Sequence, residues 1–182
     1  METPRKLKVE ELDRISAASF KAVEKNPVVV VLDNVRSLSN VGSVFRTSDS
    51  FAVESIFLCG ITGTPPDREI NKTALGATES VNWKYFKSVT DAIHELNKDG
   101  FLIYAVEQAV PKIMLNEFVV NQENQKSAFI FGNEVYGVSD EALSLVDLCI
   151  EIPQFGTKHS MNVSVTAGIV LWHYVLQTTL KK

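Results

Sequence analysis

The stretch VVVVL at residues 28–32 decides the fold class of this chain. A continuous run of β-branched and apolar residues is typical of a strand that is buried on both faces of a parallel sheet. Pro27 ends the apolar pattern of the preceding segment, and Asn40 can cap a helix from Val41 to about Phe51. A buried strand followed by a helix predicts an α/β domain.

The rest of the chain repeats this alternation. We predict further strands at 55–59, 101–106, 128–131 and 148–152, and further helices at 88–97, 139–146 and 160–180. The segment 61–82, which holds two glycines and two prolines, reads as a long irregular loop of the kind that is usually functional. Apolar residues near helical spacing predict an N-terminal helix over 7–24. We therefore expect a helical extension at 1–27 and one α/β domain at 28–182, with a mostly parallel sheet flanked by helices.

The composition fits one globular domain. The chain has 182 residues, of which 45% are hydrophobic and 22% charged, as in ordinary soluble proteins. Apolar runs are too short to span a bilayer, and the first residues lack the apolar core of a signal peptide, so we expect a cytoplasmic protein without a membrane partner. Cys59 and Cys149 lie in strand-like runs and are expected to be buried, reduced thiols. The three histidines and two cysteines show no zinc-ligand spacing, so no metal is expected.

The charge balance permits two interpretations. The formal net charge of −4 argues mildly against a large electrostatic surface for nucleic acid. Basic residues are nevertheless frequent in the first 87 positions, where folding could gather them into a local groove. Alternatively, these basic residues are dispersed over the surface and simply solvated.

The last predicted helix is apolar on nearly every side, as its sequence VSVTAGIVLWHYVL at residues 163–176 shows. A helix that is apolar all round must be covered on all sides. In a chain of this size, that pattern favours a subunit interface in addition to the sheet, and we expect a homodimer through this helix. The alternative is a core helix of a single chain.

Three short motifs carry the candidate chemistry. They are NVGSVFR at 40–46, FGNEVYG at 131–137, and IP at 152–153 followed by SMNVS at 160–164. Each lies where a strand-like run ends and a helix begins, and ligands of open α/β sheets bind at such edges.

The first two motifs offer groups that could contact a ligand or position a loop beside it. In the first motif, Gly42 would leave the first helical turn open to a ligand. Arg46, nearly two turns past Asn40 and so on a similar side, suits a phosphate or ribose. Gly132 would let backbone approach a bound molecule, and Glu134 could fix a neighbouring loop or pair with Arg46. Taken singly, each motif is also explained by a surface ion pair, a turn or a helix cap.

The third motif offers the Ile152 backbone, the Ser160 hydroxyl and the Asn162 amide, with no ionisable group. Together the three motifs resemble the signature motifs of the SpoU–TrmH family of RNA ribose 2′-O-methyltransferases, in the SPOUT superfamily. The resemblance covers roughly residues 28–180. The matching residues are Asn40, Gly42, Arg46, Phe131, Gly132, Glu134, Gly137, Ile152, Pro153, Gly156, Ser160, Asn162 and Ser164. In two places the chain departs from the usual pattern: Met161 stands where leucine is commoner, and Ser37-Leu38 where Asp-Pro is common.

The resemblance implies a fold, a cofactor and an assembly. Family members are α/β domains whose C-terminal part forms a trefoil knot, and they are homodimers with the last helix in the interface. The knot holds S-adenosylmethionine, and the arginine of one subunit is thought to work beside the cofactor of the other. The cofactor-binding residues implied here are Glu107, Gly132, Ile152, Ser160 and Met161.

The resemblance also implies the reaction, in which a ribose 2′-hydroxyl attacks the cofactor methyl without metal or covalent intermediate. The catalytic residues implied are Arg46, Asn40, Glu134, Ser160 and Asn162. Because free arginine has a pKa above about 12, Arg46 suits phosphate binding and charge stabilisation better than proton abstraction. Arg68 and Lys72, in the segment 67–77, are expected on RNA phosphates, although this segment could equally pack on the knot.

Several alternatives stay open. Only about 27 residues precede the first strand, which resembles compact tRNA-modifying members, so tRNA is favoured as the substrate and rRNA comes next. A base methyltransferase of the same superfamily and a non-catalytic RNA-binding protein of the same fold are the other candidates. An enzyme with a different nucleotide cofactor would be expected to carry a G-x-G-x-x-G or P-loop motif, which the sequence lacks.

Overall fold

A computed structural model describes residues 3–12, 14–120 and 125–180. Its centre is a sheet of seven strands: β1 (Asn26–Asp33), β2 (Val53–Cys59), β3 (Asn82–Phe86), β4 (Leu102–Val106), β5 (Ile113–Met114), β6 (Ser127–Phe131) and β7 (Leu148–Glu151). Their order across the sheet is β3-β2-β1-β6-β4-β7-β5, and all six pairings are parallel. The α/β class and the mostly parallel sheet are thereby confirmed.

Helices cover both faces of the sheet. They are α1 (Ala17–Ala22), α2 (Leu38–Ser50), α3 (Arg68–Ala74), α4 (Ala77–Ser80), α5 (Val89–Lys98), α6 (Asp140–Leu143) and α7 (Val163–Gln177), with 3₁₀ turns at Val9–Leu12 and Leu115–Glu117. Helices α2, α3, α4 and α7 contribute to the core on one face, and α5 and α6 to the core on the other. No helix of the described residues is long and apolar enough to cross a membrane.

The central strand β1 shows why the sequence folds in this way. Val28, Val30 and Leu32 enter the core under α2 and α7, whereas Val29 and Val31 enter the core under α5. Because side chains alternate between the faces of a strand, a run without polar residues satisfies both cores at once.

Two sequence predictions, one of a loop and one of a helix, were wrong. The segment 61–82 contains α3 and α4 instead of a long loop, because Asp67 caps α3 by accepting hydrogen bonds from the N–H groups of Glu69 and Ile70. The single helix over 7–24 is replaced by a 3₁₀ turn and α1, since Ser16 starts a new helix by accepting from the N–H of Ser19. Strand β3, directly after α4, was not predicted.

The helix ends also differ from prediction, and α7 ends at Gln177, three residues before the predicted end. Ser37, not Asn40, caps α2, and its hydroxyl accepts a hydrogen bond from the backbone N–H of Asn40 at 3.3 Å. The side chain of Asn40 is therefore free for other partners. Helix α6 ends at Leu143, three residues before the predicted end.

The two cysteines are buried and unpaired, as expected. Burial raises the pKa of the Cys59 thiol to about 12, so this group stays protonated and acts as part of the apolar core.

Candidate functional site

A cavity of about 510 Å³ opens at the carboxyl ends of β4, β6 and β7. Cavities of this size and position are typical ligand sites of open α/β sheets. Its walls include all five residues that the resemblance assigned to the cofactor: Glu107, Gly132, Ile152, Ser160 and Met161. Their role in cofactor binding stays a prediction.

The loop at residues 132–137, which follows β6, forms one wall of the cavity and is held by its own backbone. Asn133 and Gly137 exchange two backbone hydrogen bonds of 2.9 Å. The Asn133 Oδ1 atom accepts two more, from the N–H groups of Val135 at 2.9 Å and Tyr136 at 3.2 Å. A Cβ atom on Gly132 would overlap the backbone of Gly137. The glycine is therefore required by the loop itself, whereas the sequence suggested an approach by a bound molecule.

Glu107, at the end of β4, joins this loop to the neighbouring strand. Its Oε2 atom accepts a hydrogen bond from the Val138 N–H at 2.9 Å, and its Oε1 atom accepts one from the Gln108 N–H at 2.8 Å. Gly137 has a φ of 72°, and a Cβ atom there would overlap the Glu107 carboxylate. Since a carboxylate offers about four acceptor positions, Glu107 keeps capacity for a ligand in the cavity.

A chain of polar side chains joins the three sequence motifs. The Glu134 carboxylate accepts hydrogen bonds of 3.0 Å from the N–H groups of Arg36 and Ser37 and from the Asn40 amide. The Asn40 Oδ1 atom in turn accepts a hydrogen bond of 3.0 Å from the Asn162 amide. Asn40 thus bridges the second motif and the third, and Glu134 fixes the loop that starts α2.

This series of hydrogen-bonded side chains ends at the first turn of α7. The Asn162 Oδ1 atom caps this helix by accepting from the N–H of Ser164 at 2.9 Å and from its hydroxyl at 2.7 Å. Each amide is oriented by both of its neighbours, so the donor and acceptor atoms of Asn40 and Asn162 are fixed.

Glu134 is held in its charged form by this arrangement. Burial alone would raise the pKa of its carboxyl, but the hydrogen bonds that it accepts from the backbone and from Asn40 outweigh burial and hold the pKa below its usual value. The carboxylate is therefore a permanent acceptor at neutral pH.

Arg46 lies apart from the hydrogen-bonded side chains of Glu134, Asn40 and Asn162. It is exposed on α2, does not line the cavity, and makes no ion pair with Glu134 or any other acid of the described residues. Gly42 is buried instead of open to a ligand, because a Cβ atom there would overlap the Ile70 carbonyl and the Thr73 hydroxyl of α3. The expectation for Gly42 was therefore wrong: it serves the close packing of α2 on α3.

The remaining predicted RNA contacts, Arg68 and Lys72, are exposed on α3 and outside the cavity wall. Lys72 lies 3.8 Å from a Glu69 carboxylate oxygen, which is a weak surface pair. Within the described part of the chain, no group of three or more His, Cys, Asp or Glu residues could hold a metal ion.

The sequence matches a known family over most of its length. The sequence model of the SpoU rRNA methylase family matches residues 27–172. The chain belongs to this family. A tRNA (guanosine(18)-2′-O)-methyltransferase of Thermus thermophilus is 32% identical over 145 residues, which is 80% of this chain and 72% of that protein. A 23S rRNA (guanosine-2′-O-)-methyltransferase of Neisseria meningitidis is 28% identical over 85% of this chain and 60% of its own length.

Solved structures of the SpoU family share the fold. The TrmH/SpoU tRNA modifying enzyme of Aquifex aeolicus superimposes with a TM-score of 0.79 at 24% identity, over 91% of this chain and 83% of that one. The SpoU methyltransferase AviRb of Streptomyces viridochromogenes, solved with its cofactor AdoMet, gives a TM-score of 0.75 at 19% identity, over 96% of this chain and 66% of that one.

Sequence reasoning missed residues that hold this SpoU-family site together. Asn133 donates from its amide to the Asn34 carbonyl at 2.7 Å, and buried Asp33 accepts from the Ser139 N–H at 2.9 Å. Both contacts join the end of β1 to the segment after β6. An Asp-Asn pair directly after the apolar run at 28–32 is the signal that could have drawn attention to this edge. His159 and Tyr136, which line the cavity, were also missed.

Proposed function

We propose that this chain is an RNA methyltransferase that uses S-adenosylmethionine to methylate a ribose 2′-hydroxyl. The observation that carries the proposal is the hydrogen-bonded chain Glu134–Asn40–Asn162, which brings the three family motifs together beside one cavity. The names of the relatives as tRNA and rRNA 2′-O-methyltransferases support the same reaction.

The residues around the cavity suit the cofactor. Bound there, S-adenosylmethionine would supply an electrophilic methyl group on its sulfonium. Glu107 has acceptor capacity for ribose hydroxyls, while the Ile152 backbone and the Met161 side chain offer polar and apolar contacts. Ser160 and Asn162 lie on the same wall and would order the site beside the cofactor. Orienting the reacting groups in this way can lower the barrier by up to about 7–11 kcal/mol.

Arg46 would act on the RNA. Its exposed guanidinium, without an acidic partner in the described chain, is available to bind a phosphate and to stabilise negative charge that develops on the 2′-oxygen. Because Arg46 is outside the cavity wall of its own chain, we propose that it serves the cavity of a second subunit. Asn40 and Glu134 would position the start of the helix that carries it.

The exposed face of α7 supports a homodimer. Val165, Ile169, Trp172 and Leu176 are 53%, 36%, 47% and 42% exposed, and their spacing places them in one apolar stripe. Trp172 also contacts Phe51 of the α2 C-terminal end, with ring centroids 6.1 Å apart. A partner covering this stripe would therefore approach the helix that carries Arg46.

We further propose the trefoil knot, the tRNA substrate and the cytoplasmic location. The strand order supports the knot, because β7 lies between β4 and β5 although it follows both in the chain. Relatives named as guanosine-18 tRNA methyltransferases support tRNA, and the Neisseria relative supports rRNA as the second candidate. The division into an extension at 1–27 and a catalytic domain at 28–182 remains part of the proposal.

Arg46→Ala tests the proposal, with Lys98→Ala on the far face as the matched control. We expect the Arg46 variant to lose methylation of bulk tRNA by about 100-fold or more, while calorimetry shows S-adenosylmethionine binding within about 2-fold of the native protein. Substantial residual activity would contradict the role of Arg46. A native protein that binds no S-adenosylmethionine would overturn the whole proposal and favour a non-catalytic RNA-binding protein.

A further inference from the structure

Tyr136 presents an aromatic ring to solvent at the mouth of the cavity. Its side chain is 85% exposed although the residue belongs to the cavity wall. Within the described residues, its hydroxyl makes no hydrogen bond and its ring has no aromatic or cationic neighbour. A large exposed ring beside a ligand cavity is a candidate contact surface, because burying its faces would release considerable free energy.

The ring stands on a rigid support. The Asn133 side chain holds the N–H groups of Val135 and Tyr136, and Asn133 and Gly137 close the loop with two backbone hydrogen bonds. The backbone of Tyr136 is thus ordered before any partner binds. Pre-organisation of this kind lowers the entropy cost of binding.

An exposed arginine, Arg36, has its backbone beside this loop. The backbone N–H of Arg36 donates to Glu134 at 3.0 Å, which places Arg36 next to the residue two positions before Tyr136. The Asn133 amide makes a second link between the same loops by donating to the Asn34 carbonyl at 2.7 Å. The Arg36 side chain is exposed and forms no ion pair within the described chain.

We infer that Tyr136 and Arg36 form a nucleotide-binding surface at the cavity mouth, which holds an unstacked nucleotide of the RNA substrate next to the methylated ribose. Tyr136 stacks on the base and Arg36 binds a neighbouring phosphate. Aromatic stacking and guanidinium–phosphate pairing are two contacts that proteins commonly use to hold single-stranded RNA. Because the chain has a net charge of −4, attraction of RNA depends on such local cations.

This inference rests on the proposed function in taking RNA as the substrate, but its test does not require catalysis. Binding of fluorescently labelled bulk tRNA would be measured over a range of salt concentrations for the native protein and four variants. These are Tyr136→Ala, Tyr136→Phe, Arg36→Gln and the matched charge control Lys98→Gln. Thermal unfolding would verify the fold of each variant, and calorimetry with S-adenosylmethionine would verify the cavity.

We expect Tyr136→Ala to weaken RNA binding by roughly 5- to 150-fold and Tyr136→Phe to keep native affinity, because the phenyl ring still stacks. Arg36→Gln should lower the slope of log affinity against log salt by about one, whereas Lys98→Gln should leave it unchanged. Binding of S-adenosylmethionine by Arg36→Gln and Lys98→Gln should equal that of the native protein, since neither residue lines the cavity.

Three results would overturn the inference. First, Tyr136→Ala and Arg36→Gln could bind RNA as tightly as the native protein does, while the native protein methylates tRNA. The nucleotide-binding surface would then be refuted and the proposed function would remain. Tyr136→Ala could dissociate a dimer without changing RNA affinity, which would place the ring in a protein interface. It could also weaken S-adenosylmethionine binding alone, which would place the ring on the cofactor. If the variants lose RNA affinity while the native protein shows no methylation, the surface is supported and the proposed reaction fails.

Discussion

Asn40→Asp gives the sharpest test of the polar chain, because it changes one nitrogen atom to oxygen. In the native protein the Asn40 amide donates to the Glu134 carboxylate at 3.0 Å and accepts from the Asn162 amide. An aspartate keeps the acceptor for Asn162 but sets a second carboxylate against Glu134. One favourable hydrogen bond is thus exchanged for a repulsion between like charges.

The cost follows from the distance. Two unit charges 3.0 Å apart repel by about 1.4 kcal/mol at the dielectric constant of water and by about 5.5 kcal/mol at an effective value of 20. Glu134 is exposed and Asn40 half-buried, so the lower part of this range applies. With about 1 kcal/mol for the lost hydrogen bond, we expect the free energy of unfolding to fall by about 3 kcal/mol at neutral pH.

The destabilisation should depend on pH with a defined sign. Repulsion raises the folded-state pKa of the introduced aspartate above its unfolded value of about 3.9. Stability relative to the native protein is therefore retained below that unfolded value and lost as pH rises through the folded pKa. The gap in unfolding free energy between variant and native protein should widen from about pH 4 upwards and then level off, with the two carboxyls titrating as a pair.

Urea unfolding at several pH values between 4 and 8 measures this gap. Asn116→Asp is a matched control, since Asn116 is exposed and its side chain makes no hydrogen bond within the described residues. A gap that is the same at both ends of the pH range, or as large in the control, would refute the reasoning about the Glu134–Asn40 contact. Native Glu134 should show the opposite trend, because its depressed pKa provides stability that is lost as pH falls through the folded value.

Two further changes test the packing of α2 and the face of α7. Gly42→Ala should lower the free energy of unfolding by about 2 kcal/mol, because its methyl group would overlap the Ile70 carbonyl. Gly168→Ala, whose new methyl group would have its nearest neighbour 3.8 Å away, should raise the free energy of unfolding by about 0.5–1 kcal/mol. Chemical denaturation compares the two variants, and equal effects would contradict the packing role of Gly42. Trp172→Glu should weaken dimer association by about 100-fold or more in sedimentation experiments, because it would place a charge in the interface. Leu102→Glu, at a similarly exposed position, should leave dimer association unchanged. A native protein that sediments as a monomer would refute the interface.

Burial explains which strands could be predicted from the sequence. The run at 28–32 is apolar throughout because both faces of β1 are covered, and the apolar runs at 56–59 in β2 and 128–131 in β6 are buried on both faces in the same way. Strand β3 (NWKYF) escaped prediction because it lies at the sheet edge, pairs only with β2, and exposes its first four residues. Its polar residues carry no sign of burial.

The sequence predicted that the second and third motifs meet at one edge of the sheet, but not how their side chains are connected. The motif sequences placed Glu134 and Asn162 at the right edge of the sheet. The first motif predicted Asn40 as the cap of α2, whereas Ser37, also a good capping residue, takes that position. The motif sequences also could not show the purpose of Gly42, because a glycine in a helix serves a ligand or a neighbouring helix equally well, and the position of α3 decides. Such choices depend on contacts between segments that lie far apart in sequence.

The Asn40–Asn162 hydrogen bond also determines when the site can form during synthesis of the protein. It joins residues that are 122 positions apart, and the Glu134–Asn40 contact spans 94. Contacts of such long range form late, because the intervening chain must be closed before they stabilise anything. At translation rates of about 5–20 residues per second, Asn162 is synthesised roughly 6–25 s after Asn40. A ribosome-bound chain that already has the central strands still lacks the cap of α7, so the hydrogen bonds beside the cavity can be completed only after synthesis has passed the third motif.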